Sequence, residues 1–348
     1  MNYIVIDLEW NQSKHIRDDM DDDINTSETK YRDNNLINSE SSDRNSIDRK
    51  TIEKNMPFEI IEIGAVKLDE SFNEVDRFSR LIKPVFYKKM SHIITDLTGI
   101  TDKDLQNKKG FKAVAEEFLN WCGDEYIMCT FGNQDIYELG INMYYHNMEI
   151  PWKYPMYYID VQKLFGIMKG EESSQRSLEM VSMYMGIPQK KSYHRALTDA
   201  VYTAEVLKKI SISDIFQYKS LDYTVLPEDR FTEKESDLKT HLEYLTSGFK
   251  TRDELIDYKE LFLTRCPVCM KKCKKKIKWF IDGSKYLCAA KCDNHGMIEG
   301  DIYIKKNHNG YYGIRKTWTI DEKRLSEIIN KREIIKEKRK QRRNRENK

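Results

Sequence analysis

Two acids stand two residues apart near the N-terminus, Asp7 and Glu9, in the run MNYIVIDLEWNQ. Tyr3, Ile4, Val5 and Ile6 just before them form a β-branched and aromatic run suited to a buried strand. Residues two apart on a strand share a face, so both carboxylates project together at its end. Like charges held that close repel, and burial sharpens the repulsion. A divalent cation relieves it, and Mg²⁺ takes one or two carboxylates together with substrate phosphate. A third acid, Asp135, begins a helical stretch directly after an apolar run, Tyr126 to Phe131. His194 precedes a helix, and Asp199 lies five residues on within it, in YHRALTDAVYTAEVL. Each fragment alone also has an ordinary reading: solvated acids on an edge strand, an N-cap aspartate, a surface histidine near a helix-face aspartate.

A second set of residues suits a different ion. Five of the seven cysteines fall between Cys266 and Cys292. Cys266 and Cys269, in CPVC, have the two-residue gap of a zinc knuckle. Cys292 and His295, with Gly296 just after, complete a tetrahedral set; a set using Cys288 is the alternative, and Cys273 is left over. Four protein ligands leave no open position, so a zinc ion there is structural. Lys271, Lys272, Lys274, Lys275, Lys276 and Lys278 crowd the first knuckle, interleaved with Trp279, Phe280 and Tyr286. Basic residues beside aromatics suit single-stranded nucleic acid through phosphate contacts and stacking. The ordinary reading is a solvated lysine-rich loop.

The elements that must position these groups follow from pattern. Pro57 to Leu68 and Arg77 to Ile82 read as strands after the first, an antiparallel start. Phe111, Val114, Ala115, Phe118, Leu119 and Cys122 are spaced for one helix face. The Asp135 helix runs to about His146, and Met156 to Val161 is a strand. Ser177 caps a helix that Gly186 stops near Met185, and Ala196 to Ile210 is a helix. Early strands followed by alternating helices and strands give an α/β domain with a mixed sheet. Ser13 to about Asn55 is polar and without period, and reads as a mostly disordered insertion. Residues 213–262 are charged and read as a helical linker, with capping-box spacing at Thr251 and Glu254. Residues 263–320 read as a zinc ribbon whose strands, Lys278 to Ile281 and Lys285 to Ala290, turn at Asp282-Gly283. Residues 321–348 read as a basic helical tail.

Taken in order, Asp7-x-Glu9, the strand-to-helix Asp135 and His194-x-x-x-x-Asp199 resemble the signature of the DEDDh 3′–5′ exonucleases over residues 1–212. ITDLTGIT (94–101), LIKP, KLF (163–165) and LEMV (178–181) resemble the Eri-type and KapD-like branch. The resemblance implies a ribonuclease H-like mixed sheet flanked by helices. It implies that Asp7, Glu9, Asp135 and Asp199 hold two Mg²⁺ or Mn²⁺ ions, about 3.5–4 Å apart. His194 would take the proton of the attacking water, a role suited to an imidazole at neutral pH. Nucleoside 5′-monophosphates would leave from the 3′ end of single-stranded RNA or DNA, RNA first. Leu8 and Trp10, with Thr98 and Gly99 of the LTGIT loop, stand where relatives meet the terminal nucleotide. Two other readings are a catalytically silent nucleic-acid-binding or regulatory protein and a DnaQ-type DNA proofreading subunit. A missing acid would mark the first, and all five motif residues are present.

The chain has 348 residues, room for two domains, with 59 Lys and Arg against 57 Asp and Glu. A net charge of +2 identifies no partner by itself. No apolar run approaches the ~20 residues of a membrane span, and no basic, apolar leader precedes Asp7. Clustered cysteines of metal-site spacing fit a reducing compartment, which places the protein in the cytoplasm.

Overall fold

Strand β1 (Asn2–Gln12) separates two cores by its alternation. Ile4, Ile6 and Leu8 pack on one face with Phe111, Val114, Phe118, Ile136 and Leu139. Val5 packs on the other with Val66, Ile127, Ile159, Ala200, Ala204 and Leu207. These positions belong to a computed structural model that describes residues 1–12, 52, 55–170, 176–189 and 193–346. The insertion expected over 13–55 lies, apart from residues 52 and 55, outside the described residues.

The chain divides into two units, Met1–Trp152 with Met156–Thr224, and Lys153–Pro155 with Val225–Lys348. In the first, β1 pairs antiparallel with β2 (Phe58–Leu68), which pairs antiparallel with β3 (Glu74–Leu81). Gln12 faces Phe58 in that register, so the strand ends on either side of 13–57 lie side by side. Helices α1 (His92–Thr98), α2 (Asp102–Leu105) and α3 (Phe111–Cys122) follow. Then β4 (Tyr126–Thr130) runs parallel to β1. After α4 (Gln134–Tyr145), β5 (Tyr157–Asp160) runs parallel to β4. Three helices complete the layers: α5 (Val161–Lys169), α6 (Leu178–Tyr184) and α7 (Ala196–Lys209). Ser177 accepts the Met180 N–H at the start of α6, as its capping chemistry predicts. Strand β6 (Ser220–Leu221) pairs antiparallel with β5, giving the sheet order β3-β2-β1-β4-β5-β6. This last ladder carries the first unit to Thr224, beyond the expected boundary at 212.

The second unit is a six-stranded antiparallel sheet. Strands β7 (Glu235–Asp237) and β8 (Leu242–Leu245) precede the short helix α8 (Arg252–Asp257). Then come β9 (Lys274–Asp282), β10 (Lys285–Cys292), β11 (Gly296–Asn307) and β12 (Gly310–Ile320), in the order β7-β8-β12-β11-β10-β9. The expected helical linker over 213–262 is therefore mostly strand and loop, with α8 and its Thr251–Glu254 capping box as its one α-helix among the described residues. The reason lies in charges that are interior. Arg315, buried on β12, pairs with Glu235 on β7. Buried Glu243 on β8 meets Lys316 at 3.3 Å and His241 at 2.8 Å. Charged residues paired across a sheet mimic a solvated helix in one dimension. The β9–β10 hairpin turns on Gly283 and Ser284, since Asp282 pairs with Lys285; the turn sits one residue beyond its expected place. Gly283 takes φ +61°, a left-handed value glycine adopts without penalty. Helix α9 (Glu322–Glu346) docks Leu325 and Ile328 on Ile277, Leu287 and Ala289. Arg324 clamps it there through Glu299 at 2.7 and 2.8 Å.

Candidate functional site

The site is assembled where α7 meets the β1–β2 pair. Asp7 faces Gly64 and Glu9 faces Glu62 in the antiparallel register, so all four positions share one face of the sheet. A Cβ on Gly64 would lie 2.0 Å from the Leu197 nitrogen and 2.1 Å from the Ala196 carbonyl carbon. Glycine is required here because the first turn of α7 rests on β2 backbone, and that contact carries Asp199 to the strand. The carboxylates of Asp7, Glu9 and Asp199 converge to within 4.8 Å of one another. Asp135 stands beside this trio in the first turn of α4. Strand β4 pairs with β1 only as far as Val5. Beyond it the Leu8 N–H donates to Asp135 Oδ1 at 3.1 Å.

Electrostatics follow from burial. Asp7 is held well above the usual carboxylate range by burial first, then by Asp135, Asp199 and Glu9. Burial, with Asp199 and Glu62, lifts Glu9 to about 8. Burial lifts Asp135 to about 7 and Asp199 to about 6, the latter against the pull of the His194 N–H. Asp199 Oδ1 is buried without a hydrogen-bond partner. Mutually repelling acids and an orphaned carboxylate oxygen are the donor set a hard divalent cation takes.

His194 sits in the loop that enters α7. Its N–H donates to Asp199 Oδ2 at 2.9 Å, and its φ is +68°. That left-handed conformation costs a non-glycine residue ~1–3 kcal/mol and persists where the surroundings over-determine it. They do so here: Arg195 donates to both oxygens of Glu62 at 2.9 Å, and the Ala196 N–H reaches Glu62 Oε2 at 3.3 Å.

A family model described as an exonuclease, RNase_T, matches residues 46–207. Its range holds Glu62, Asp135, His194 and Asp199 and begins after β1. DNA polymerase III subunit epsilon of Aquifex aeolicus is 30% identical over 168 residues, 47% of this chain and 78% of that protein. The chain belongs to the DEDDh exonucleases. It is a hydrolytic enzyme, and its mixed sheet with flanking helices is the ribonuclease H-like fold of that family. The PolC-type DNA polymerase III of Thermotoga maritima is 35% identical over 179 residues, 48% of this chain, and the chain spans 12% of that protein's length. Among solved structures, the nuclease domain of 3′hExo, a DEDDh family member bound to rAMP, is matched over 60% of this chain and 90% of that one, at 18% identity and a TM-score of 0.44.

Of the positions expected to meet nucleotide in a DEDDh exonuclease, several are spent internally. The Leu8 side chain lies in the core. Trp10 is half-buried, its ring 5.5 Å from that of Phe58. The Thr98 hydroxyl donates to Ile94 O at 2.8 Å, and Gly99 ends α1 at φ +71°. Sequence reasoning missed Asn11, fully buried, which donates to the Tyr87 and Lys89 carbonyls at 2.9 Å and accepts the Ser91 N–H at 2.9 Å. It thereby ties the loop before α1 to the end of β1. It missed Glu62 and Arg195 as well; the signals were an acid in the apolar run EIIEIGAV and an arginine beside His194.

In the second unit Cys266, Cys269, Cys292 and His295 come together, their ligand atoms within 4.8 Å. Cys288 lies elsewhere, 3.5 Å from the Thr264 hydroxyl. The backbone N–H of Asn294, then that of His295, pull the Cys292 thiol down to about 6. The lysines beside the first knuckle are exposed, along an edge strand. Trp279, Phe280 and Tyr286, expected to interleave with them on a stacking surface, are half-buried in the cores on the two sheet faces. Trp279 Nε1 is engaged with the Phe262 carbonyl at 2.9 Å. Trp279 and Phe280, consecutive on β9, enter cores on opposite faces of the sheet, and Lys275 Nζ lies 5.9 Å from the centroid of the Trp279 ring. No helix among the described residues is long and apolar enough to cross a membrane.

Proposed function

We propose that this exonuclease removes nucleoside 5′-monophosphates from the 3′ end of single-stranded nucleic acid, RNA ahead of DNA. The observation that carries the proposal is the convergence of Asp7, Glu9 and Asp199 within 4.8 Å beside Asp135. These four acids would hold two Mg²⁺ or Mn²⁺ ions, which supply charge neutralisation at phosphorus and acidify water. His194 takes the proton of the attacking water as general base, with its backbone fixed by Asp199. Leu8, Trp10, Thr98 and Gly99 border the terminal nucleotide through backbone groups and the exposed part of the Trp10 ring. The preference for RNA rests on the Eri-like motifs. The polymerase III relatives favour a second reading, a DNA proofreading exonuclease.

The Cys266, Cys269, Cys292 and His295 group would hold one structural Zn²⁺. Zn–S near 2.3 Å and Zn–N near 2.0–2.1 Å put tetrahedral edges at roughly 3.8 Å for S···S and 3.5 Å for S···N. The Cys269–Cys292 sulfurs are 3.7 Å apart, and His295 Nδ1 stands 3.4 Å from Cys266 and 3.6 Å from Cys292. The exposed lysines supply salt-dependent phosphate contacts. Seven unpaired cysteines support a cytoplasmic setting.

The test uses 5′-labelled single-stranded RNA and DNA of one sequence, with Mg²⁺, Mn²⁺ or EDTA. A metal-dependent ladder shortening from the 3′ end, faster on RNA, is expected. A faster DNA ladder, excision of mispaired 3′ ends and copurification with a polymerase would establish the proofreading reading instead.

A further inference from the structure

We propose that Glu62 and Arg195 form a positioning pair for the base of this site, a carboxylate–guanidinium clamp that fixes the His194 backbone and withholds Glu62 from the cation-binding acids. The inference rests on the reading of His194 as general base.

Glu62 lies opposite Glu9 in the β1–β2 register, so its side chain emerges on the face that carries Asp7 and Glu9. Its side chain is only 2% exposed. Left alone, a fifth buried carboxylate would add repulsion to the cluster or compete for its cations. Neither oxygen is left alone. The planar fork of Arg195 occupies both at 2.9 Å, and Oε2 also accepts the Ala196 N–H at 3.3 Å. Bidentate geometry of this kind fixes orientation as well as charge.

The same bonds act on the chain that enters α7. That helix has no side-chain cap at its N-terminus, and Glu62 of β2 satisfies its first amide from across the sheet. Three successive residues are thus each tied to a site carboxylate: His194 by its N–H to Asp199, Arg195 by its side chain to Glu62, and Ala196 by its N–H to Glu62. A left-handed backbone at His194 is defined on its C-terminal side by these ties. The direction in which its ring leaves the chain depends on them. Lysine at 195 would keep the charge and lose the two-point geometry. The Arg195 side chain is 46% exposed, which makes substrate phosphate the competing partner.

The experiment is steady-state hydrolysis by the full chain of whichever labelled oligonucleotide wild type prefers, with Mg²⁺ titration and thermal melting. Arg195→Lys and Glu62→Gln should each lose roughly 10- to 100-fold in kcat, with KM and half-saturating Mg²⁺ within about twofold of wild type. The double variant Glu62→Gln/Arg195→Ala should be no slower than the worse single change. Guanidinium at millimolar concentration should restore part of kcat to Arg195→Ala. If Glu62→Gln fails to fold, Arg195→Lys, altered at a half-exposed side chain, carries the test alone. An active wild type with an unaffected Arg195→Lys overturns the clamp alone. So does a loss confined to KM, which makes Arg195 a phosphate contact, or a shift confined to the Mg²⁺ requirement, which makes Glu62 a ligand. A wild type without hydrolysis overturns the exonuclease reading and the clamp with it.

Discussion

The acids of Asp7, Glu9 and Asp199 and the group of Cys266, Cys269, Cys292 and His295 each gather ligand atoms within 4.8 Å from distant parts of the chain. The acids are all shifted upward, whereas the thiols divide, Cys266 raised by burial and Cys292 lowered. Around the acids every resolved shift is upward, and Asp199 Oδ1 has no hydrogen-bond partner. At Cys292 the loop amides of Asn294 and His295 favour the thiolate before any ion arrives. The acids are arranged for an ion shared with a substrate phosphate and exchanged with solvent. On the proposed zinc reading, Cys266, Cys269, Cys292 and His295 stand at the corners of a closed tetrahedron, for an ion that would stay.

The contrast predicts different outcomes for loss of one ligand. Asp199→Asn should lose roughly 10³-fold or more in hydrolysis, while the metal-free protein melts no lower than wild type because a repelling charge is gone; a clear drop in melting temperature without metal would break the comparison. His194→Ala should lose roughly 10²–10⁴-fold in kcat at unchanged Mg²⁺ affinity, read from metal titrations of the rate. Gly64→Ala forces a Cβ into α7 backbone and should cost roughly 3 kcal/mol in urea unfolding, with loss of hydrolysis because Asp199 is displaced. Cys266→Ser should release zinc and lower the melting of the second unit, while short oligonucleotides are still cut within a few-fold of the wild-type rate. Elemental analysis with zinc unchanged would remove the tetrahedral assignment.

A subtler consequence is pH dependence. Glu9, Asp135 and Asp199 have folded values near 8, 7 and 6, above their ordinary ones. A carboxyl with a raised folded value binds its proton more tightly folded than unfolded. Metal-free protein should therefore be most stable below about pH 4.5 with respect to these groups and lose that contribution as pH rises toward 8. Mg²⁺ should offset the loss, so its stabilising shift in melting temperature should grow from pH 6 to pH 8. A shift that is flat or shrinks with pH would uncouple the ion from these acids.

What was legible in sequence was local. The period of two on β1 places Asp7 and Glu9 on one face, and the capping signals at Ser177 and Thr251 are realised. The helix of Phe111 to Cys122 starts and stops where its apolar spacing does. What was not legible depends on partners far along the chain. Glu62 looks like an acid misplaced in an apolar strand until Arg195, more than a hundred residues on, reaches it. Glu235 and Glu243 look solvated until Arg315 and Lys316 arrive from β12. Asp135 looks like a helix-start residue, and the amide it accepts is on β1. Composition cannot distinguish a charge facing water from one satisfied across a sheet.

The pairing of Gln12 with Phe58 makes this hairpin a natural graft point. Closing a longer loop costs only ~0.6 kcal/mol per doubling of its length. The β1–β2 register is set by the strands themselves, through the alternation that puts Leu8 in the core and Asp7 at the site. Any change to the connection must keep Met56, which is buried with Ile141 and Tyr145 and whose carbonyl accepts the Tyr87 hydroxyl, but need not re-index a catalytic position. The same freedom ends inside β1, where one residue inserted just before Asp7 would turn Asp7 and Glu9 away from Asp199 and bring Leu8 to face it.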